Sequence, residues 1–355
     1  MKTTTYTFSI VAMALTLGIP LQSRGQGLDL PSISQAAEVK QRIGVTDITI
    51  TYHRPLVKGR KIWGGLVPLG QVWRAGANEN TTIEVSTPVS IEGKPLPAGK
   101  YGLHMIPNSD TWTVIFSKFA QAWGSFTYNQ AEDALRVDVK PHASEMQDAM
   151  EFSFEDVKPD STVATLNWEK LAVPFRISVD EPATVIASIK NQLRGILQYS
   201  WEPLYQAAQY CATKNTDLED GLKWAERSIQ TEERFENLNV KAELLQAMNR
   251  TDEAQKIRAH AMEIATPIQL YSAARGLQNQ NKGDEAMKLF QELVKRSPQS
   301  VYGHLAQARI KSTAGDFNAA LTEAKAAQAA APSDQQKKAI QGLIDRLQAK
   351  QDINK

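Results

Sequence analysis

The chain has 355 residues, with 40 lysines and arginines against 39 aspartates and glutamates, which gives a formal net charge of +1. Single hydrophobic cores stop growing at roughly 250–300 residues, so this length favours two domains. The balanced charge gives no reason to expect a general nucleic-acid binder, so we predict no nucleic-acid partner. The one cysteine, Cys211, excludes an intramolecular disulfide framework and a cysteine-based zinc knuckle.

The first 25 residues have the pattern of a secretory signal peptide. Lys2 precedes a 12-residue apolar run, Phe8 to Ile19, which is shorter than the roughly 20 residues of a membrane-spanning helix. Small residues at positions 23 and 25 fit cleavage before Gln26. We predict export to the periplasm, or alternatively to the cell exterior, with no membrane span after cleavage. A buried N-terminal helix is the other interpretation of this run.

The composition changes near residue 182. Residues 26–182 contain 11 glycines and 11 prolines, whereas residues 183–355 contain 7 and 4. Glycine and proline punctuate short strands and turns, and their scarcity allows long helices. We therefore predict a first domain at 26–182, a second at 183–333, and a capping helix with a tail at 334–355.

Residues 26–182 have the alternation of half-buried strands. Apolar residues recur at every second position in short segments that turn signals separate, such as Glu92-Gly93-Lys94-Pro95. The predicted strands are 47–52, 81–86, 100–106, 112–117, 135–139, 151–157, 162–168 and 174–179. Eight short strands without a helical pattern predict an all-β antiparallel sandwich, for which a jelly roll is one topology.

The second domain has a helical repeat of about 34 residues. Small residues recur at spacings of 33, 32 and 34 positions: Gly221, Ala254, Ala286 and Ala320. This period is typical of a tetratricopeptide (TPR) solenoid, in which a small residue lies where two helices cross closely. We predict an all-α TPR-like solenoid that binds an unknown protein partner, with a capping helix over 334–350. An unrelated helical bundle is the alternative.

The segment between His53 and Asn80 is the main candidate for a ligand site. Five basic residues and no acidic residue lie between Asp47 and Glu79, in a domain with 15 basic and 19 acidic residues. Arginine and lysine bind carboxylate, sulfate or phosphate, and a tryptophan face beside a cation suits a sugar ring. The candidate binding residues are Arg54, Lys58, Arg60, Trp73, Arg74, Asn78 and Glu79.

Other interpretations of this segment stay open. Tryptophan beside arginine on a loop is often structural, with an arginine that satisfies loop carbonyls, and Asn78 and Glu79 can cap a turn and pair with Arg74 or Arg54. An uncharacterised periplasmic, hydrolase-like enzyme would use Arg54, Arg74 and Glu79 as electrostatic and acid–base groups. No serine-elbow, phosphate-loop or His-Glu-x-x-His motif is present, so we predict no catalytic residue, metal or cofactor and favour binding.

Several motifs occur together in a set order. They are Arg54-Pro55, Lys58-Gly59-Arg60-Lys61-Ile62, Trp73-Arg74-Ala75-Gly76-Ala77-Asn78-Glu79, Pro97-Ala98-Gly99-Lys100-Tyr101, Trp112-Thr113-Val114-Ile115 and Trp123-Gly124. Through them, residues 30–179 resemble the domain of unknown function 2911 family. The resemblance implies an exported bacterial β-rich domain, which in some members carries a helical repeat tail, and no established activity. We therefore predict a cell-envelope binding or scaffold protein with a small anionic or carbohydrate ligand; a purely structural β domain is a further alternative.

Overall fold

The computed structural model describes residues 31–354, which fall into two compact units. One unit consists mainly of residues 47–178 and holds strands, and the other consists mainly of residues 179–354 and holds helices. The predicted fold class, an antiparallel β domain followed by an all-α region, is confirmed. The predicted signal peptide lies outside the described residues. No helix in the described part of the chain is long and apolar enough to cross a membrane.

Two antiparallel sheets make up the β unit. The strands are β1 Gln35–Ile43, β2 Thr46–Arg54, β3 Thr82–Val85, β4 Val89–Ile91, β5 Lys94–Leu96, β6 Gly99–Ile106, β7 Trp112–Ser117, β8 Asp133–Val139, β9 His142–Glu155 and β10 Ser161–Ser178. The six-stranded sheet has the order β1-β2-β3-β6-β7-β8, and the four-stranded sheet has the order β5-β4-β10-β9. A short 3-10 helix, Gln130–Glu132, precedes β8.

The core of this unit lies between the two sheets. Every second residue of β2 is buried from Ile48 to Tyr52, as period-two alternation requires. The Tyr52 ring meets the Phe152 ring of β9 edge-on at 5.0 Å between centroids, and Phe116 of β7 meets Phe175 of β10 at 6.0 Å. Because each pair joins one sheet to the other, the sheets pack face to face as a sandwich.

The strand boundaries differ from the predicted ones at β10. We predicted separate strands over 162–168 and 174–179, but one strand runs from Ser161 to Ser178 through Pro174. Its first part, up to Ala172, pairs with β9, and its end, at Ile177 and Ser178, pairs with β4. Pro174 lies between the two paired regions, so its missing N–H interrupts neither the pairing with β9 nor the pairing with β4. Strands β1, β4 and β5 were not predicted, because β1 is largely exposed and the other two have only three residues each.

The helical unit consists of consecutive helices joined by short turns. The helices are α1 Glu181–Gln192, α2 Trp201–Lys214, α3 Leu218–Thr231, α4 Phe235–Ala247, α5 Thr251–Ile264, α6 Pro267–Asn279, α7 Gly283–Arg296, α8 Val301–Thr313, α9 Phe317–Ala330 and α10 Asp334–Gln348, with a 3-10 helix at Ile196–Tyr199. Asp180 caps α1 by accepting a hydrogen bond from the N–H of Ala183, and a proline follows at the start of the helix. The strand-to-helix change therefore falls beside Pro182, where the composition changes.

The recurring small residues occupy equivalent places in four helices. Helices α3, α5, α7 and α9 have 14 residues each, and the fourth residue in each is the recurring glycine or alanine, which is buried. A Cβ on Gly221 would lie 2.6 Å from the Cβ of Cys211 in α2, so the two helices cross too closely for a larger residue. The predicted close crossing is therefore present between α2 and α3.

Candidate functional site

The long connection between β2 and β3 carries most of the candidate residues and is anchored to both sheets. Trp73 forms a two-bond bridge with Met105 of β6, since each backbone N–H donates to the other's carbonyl at 2.8 Å. Leu56 bridges to Ala149 of β9, and the Met150 N–H donates to the Pro55 carbonyl at 3.0 Å. The connection is therefore held in place by strands that are distant in sequence.

Four tryptophans pack together, two from this connection and two from the strands. Trp63 contacts Trp73, Trp112 and Trp168 edge-on, with centroids 5.8, 4.9 and 5.6 Å away. The rings of Trp73 and Trp168 stack at 5.9 Å with an interplanar angle of 18°. Trp112 belongs to β7 and Trp168 to β10, so the cluster joins the connection to both sheets. The indole Nε1–H of Trp73 donates to the Gly76 carbonyl at 3.2 Å.

A cavity of about 650 Å³ opens beside this cluster. Three cationic residues line it, Lys58, Arg60 and Arg74, and none of its lining residues is acidic. Apolar and aromatic side chains form much of its wall: Leu56, Leu66, Val67, Val72, Trp73, Phe126 and Trp168. Phe126 is 85% exposed. The cavity therefore combines positive charge with flat apolar surfaces.

Arg74 is the cavity cation that is partly buried without a hydrogen-bond partner for its Nε among the described residues. Its side chain is half-buried, and its Nε is buried with no hydrogen-bond partner among the described residues. Burial lowers the pKa of Arg74, because the charged form loses solvation. A Cβ on Gly124 would lie 2.6 Å from Arg74 Nη1, so the guanidinium lies against the backbone of the loop before β8. A charged guanidinium in this position lacks the carboxylate that usually accompanies a buried arginine.

The other two cations of the cavity are held differently. Arg60 donates from Nε to the Val57 carbonyl at 3.1 Å and from Nη2 to the Leu56 carbonyl. Arg60 therefore satisfies loop carbonyls, as the structural interpretation of the segment predicted. Lys58 has a positive φ of 46°, and its backbone N–H donates to Asp148 Oδ1 at 3.2 Å. Its side chain is exposed and lines the cavity.

Arg54, Asn78 and Glu79 do not line this cavity. Arg54 donates to the Met150 carbonyl at 2.9 Å and to Glu151 Oε2 at 2.8 Å, so it ties β2 to β9. Asn78 Nδ2 donates to Ser32 Oγ at 2.8 Å. The alternative pairing of Asn78 and Glu79 with Arg74 or Arg54 does not form among the described residues.

Glu79 pairs instead with a histidine. His53 Nε2 lies 3.3 Å from Glu79 Oε2, and the Glu79 side chain is 59% exposed. His53 and Glu79 line a shallow depression with Asn78 and the exposed Trp123. The enzyme hypothesis placed Arg54, Arg74 and Glu79 in one site, and none of the cavities found in the described part of the chain is lined by all three.

His104 belongs to a separate buried polar cluster. Its ring is 2% exposed, with Nδ1 2.9 Å from Ser125 Oγ and Nε2 3.4 Å from Asn80 Nδ2. The Tyr128 ring lies 5.3 Å from the imidazole, and burial lowers the pKa of His104 to about 4. The described residues contain no group of three His, Cys, Asp or Glu side chains placed to hold a metal ion.

Sequence reasoning missed the contribution of the loop before β8. Ser125 and Phe126 of this loop line the cavity, and Ser125 also contacts His104. The only local signal was the Trp123-Gly124 pair, where the glycine has a φ of +73° and lies against Arg74. Ser125 and Phe126 lie beside Lys58, Arg60 and Arg74 because strand pairing brings the two loops together, and no sequence pattern in this loop predicts that pairing.

Comparison with known families gives one match. Residues 34–177 match the family described as "Protein of unknown function (DUF2911)". The match covers the β unit, so the resemblance predicted for residues 30–179 is supported there, and it does not extend into the helices. Comparison with curated proteins gives no match to this chain.

Proposed function

We propose that this chain is an exported binding protein of the cell envelope, whose β unit binds a small anion or an acidic sugar in the cavity of Lys58, Arg60 and Arg74. The observation that carries the proposal is the half-buried side chain of Arg74, whose buried Nε has no hydrogen-bond partner among the described residues. Burying a charged group without a partner is costly, and an anionic ligand in the cavity would supply that partner.

The size and walls of the cavity support a ligand the size of a sugar acid. Pockets of roughly 300–1,000 Å³ bind small molecules and cofactors, and this cavity, at about 650 Å³, falls within that range. A carboxylate, sulfate or phosphate group would accept hydrogen bonds from Arg74, with Lys58 adding a second positive charge. The faces of Trp73 and Phe126 offer flat apolar surfaces against which a sugar ring packs.

The helical unit, in this proposal, binds a protein partner as a TPR-like solenoid. The support is the series of helices α2 to α9, with a buried small residue at the fourth position of every second helix. A repeat near 34 residues and a close crossing at that residue are typical of TPR units. Solenoids of this kind present extended surfaces to partners. Export rests on the signal-like sequence of residues 1–25.

Ligand-induced stabilisation of the mature chain, residues 26–355, tests the binding proposal. Sulfate, phosphate and glucuronate are the probes, and thermal unfolding is the measurement. At 100 times its Kd, a bound anion adds about 2.7 kcal/mol to the free energy of unfolding. We expect Arg74→Met to abolish this gain and Lys58→Met to reduce it.

Arg42→Met is the matched control, because it removes the same charge from an exposed arginine that pairs with Asp47 on β1 and β2. It should leave the gain unchanged. Stabilisation that persists in Arg74→Met, or that falls equally in Arg42→Met, would contradict the proposed site. No stabilisation of the wild type by any of the three anions would favour a purely structural β unit.

A further inference from the structure

Three polar side chains from separate segments meet beside the cationic cavity. Ser125 lies in the loop before β8, His104 on β6, and Asn80 at the end of the connection before β3. The imidazole lies between the other two, with Nδ1 2.9 Å from Ser125 Oγ and Nε2 3.4 Å from the Asn80 amide. His104 and Asn80 are buried, while Ser125 is half-buried and lines the cavity. The hydroxyl is therefore the only one of the three groups that a ligand in the cavity would reach.

The Asn80 amide decides which nitrogen of His104 carries the proton. Asn80 Oδ1 is buried without a hydrogen-bond partner, while Nδ2 faces Nε2 of the ring. The oxygen and nitrogen of an amide are similar in size, so the amide orientation is assigned from the hydrogen bonds around it, and a half-turn of the Asn80 amide places Oδ1 against Nε2. With the oxygen on the His104 side, Nε2–H donates to Asn80 Oδ1, and the unprotonated Nδ1 accepts from the Ser125 hydroxyl.

This orientation gives the serine a base. A serine hydroxyl becomes a nucleophile when an adjacent imidazole nitrogen removes its proton and a third group orients the ring. Gly124, the residue before Ser125, lies against the Arg74 guanidinium, whose Nε has no hydrogen-bond partner among the described residues. A cation beside the attacked carbon would stabilise the oxyanion that forms there, and Arg74 is the cation of the cavity lining that lies against Gly124, beside Ser125.

We propose that Ser125 is a nucleophile, with His104 as its general base and Asn80 as a positioning residue, and that the cavity hydrolyses a carboxylic ester of its anionic ligand. The proposal rests on the proposed anion binding at Arg74. Ser125 Oγ attacks the carbonyl carbon, and its proton passes to His104 Nδ1. The C–O bond to the alcohol breaks, and the alcohol leaves with that proton. Water then attacks the acyl-serine, releases the acid and restores the Ser125 hydroxyl.

Labelling of the mature chain by a fluorophosphonate tests the proposal. Ser125 Oγ forms a bond to phosphorus, the P–F bond breaks, fluoride leaves, and His104 takes the proton. We expect one label per chain by intact mass and its location on Ser125 by peptide mapping. Ser125→Ala should abolish labelling, and His104→Gln should slow it by roughly 100-fold, the contribution of a general base. Ser109→Ala, at an exposed serine between β6 and β7, is the matched control and should label like the wild type.

Two variants of Asn80 separate positioning from folding. Asn80→Leu should label at least roughly 10-fold more slowly than the wild type, and Asn80→Asp, which keeps an acceptor oxygen beside Nε2, should label clearly faster than Asn80→Leu. Thermal unfolding of each variant identifies any that fail to fold.

The outcomes also separate this proposal from the binding proposal. A wild-type chain that is not labelled, but is stabilised by sulfate through Arg74, overturns the nucleophile and leaves the binding site intact. Labelling that is equal in wild type and His104→Gln also overturns it. A chain that neither labels nor binds any of the anions contradicts both proposals.

Discussion

The buried His104 makes the β unit sensitive to acid. Burial lowers its pKa from the usual 6.5 to about 4 in the folded protein, while the unfolded chain keeps the ordinary value. Between these two values the unfolded state binds a proton that the folded state does not. The folded state therefore has its full free energy of unfolding above about pH 6.5 and becomes less stable as the pH falls towards 4. A difference of about 2.5 pKa units corresponds to about 3 kcal/mol at 1.36 kcal/mol per unit.

The measurement is the free energy of unfolding in urea at pH 7, 5.5 and 4, for the wild type and for His104→Gln. Tryptophan fluorescence reports mainly on the β unit, because five of the seven tryptophans lie before residue 182. The wild type should lose about 3 kcal/mol more than the variant between pH 7 and pH 4. Burial raises the pKa of Asp133, which accepts a hydrogen bond from Tyr128. This shift changes stability with the opposite sign, and because it is present in both proteins it largely cancels in the comparison.

Two results would refute this reasoning. One is an equal loss of stability on acidification in wild type and His104→Gln. The other is an NMR titration in which all five histidines change protonation near pH 6.5, since the buried ring should remain neutral well below that pH.

Three further substitutions test the roles of individual residues. Arg74→Met should raise the free energy of unfolding of the ligand-free β unit by about 0.5–2 kcal/mol, because it removes an unpaired half-buried charge; a loss measured by urea unfolding would show a structural arginine. Arg54→Met should lower it by about 1 kcal/mol, and adding Glu151→Gln should cost less than the sum of the single changes, since the two residues pair at 2.8 Å. Gly221→Ala should destabilise the helical unit by about 1–3 kcal/mol, because the new Cβ has no room against α2. Gly276→Ala, where a Cβ meets nothing within 4 Å, should instead stabilise the helical unit by up to about 1 kcal/mol. Thermal unfolding followed by far-ultraviolet circular dichroism measures both changes, and equal shifts of the melting temperature in the two variants would contradict the close crossing.

The class of each unit could be read from the sequence because its signals are local. Alternation with period two marks a strand through its own residues, and β7 begins and ends where that pattern predicted. The small residues of α3, α5, α7 and α9 recur at a nearly constant interval, so their common role is visible without coordinates. Clustering of the basic residues before β3 likewise predicted where cations would gather.

Only the tertiary structure decided which of those cations are free. Arg54 pairs with Glu151, 97 positions away, and Arg60 donates to carbonyls of its own turn, while the buried Nε of Arg74 has no acceptor among the described residues. Ser125, His104 and Asn80 likewise meet only because β6 and two loops converge. The charge and the hydrogen-bonding groups of a side chain follow from its residue type and are known from the sequence. Whether a group is hydrogen-bonded depends on which partner lies within about 3 Å of it in the folded protein. The pairing of distant strands decides this, and the separation of two residues in the sequence does not predict it.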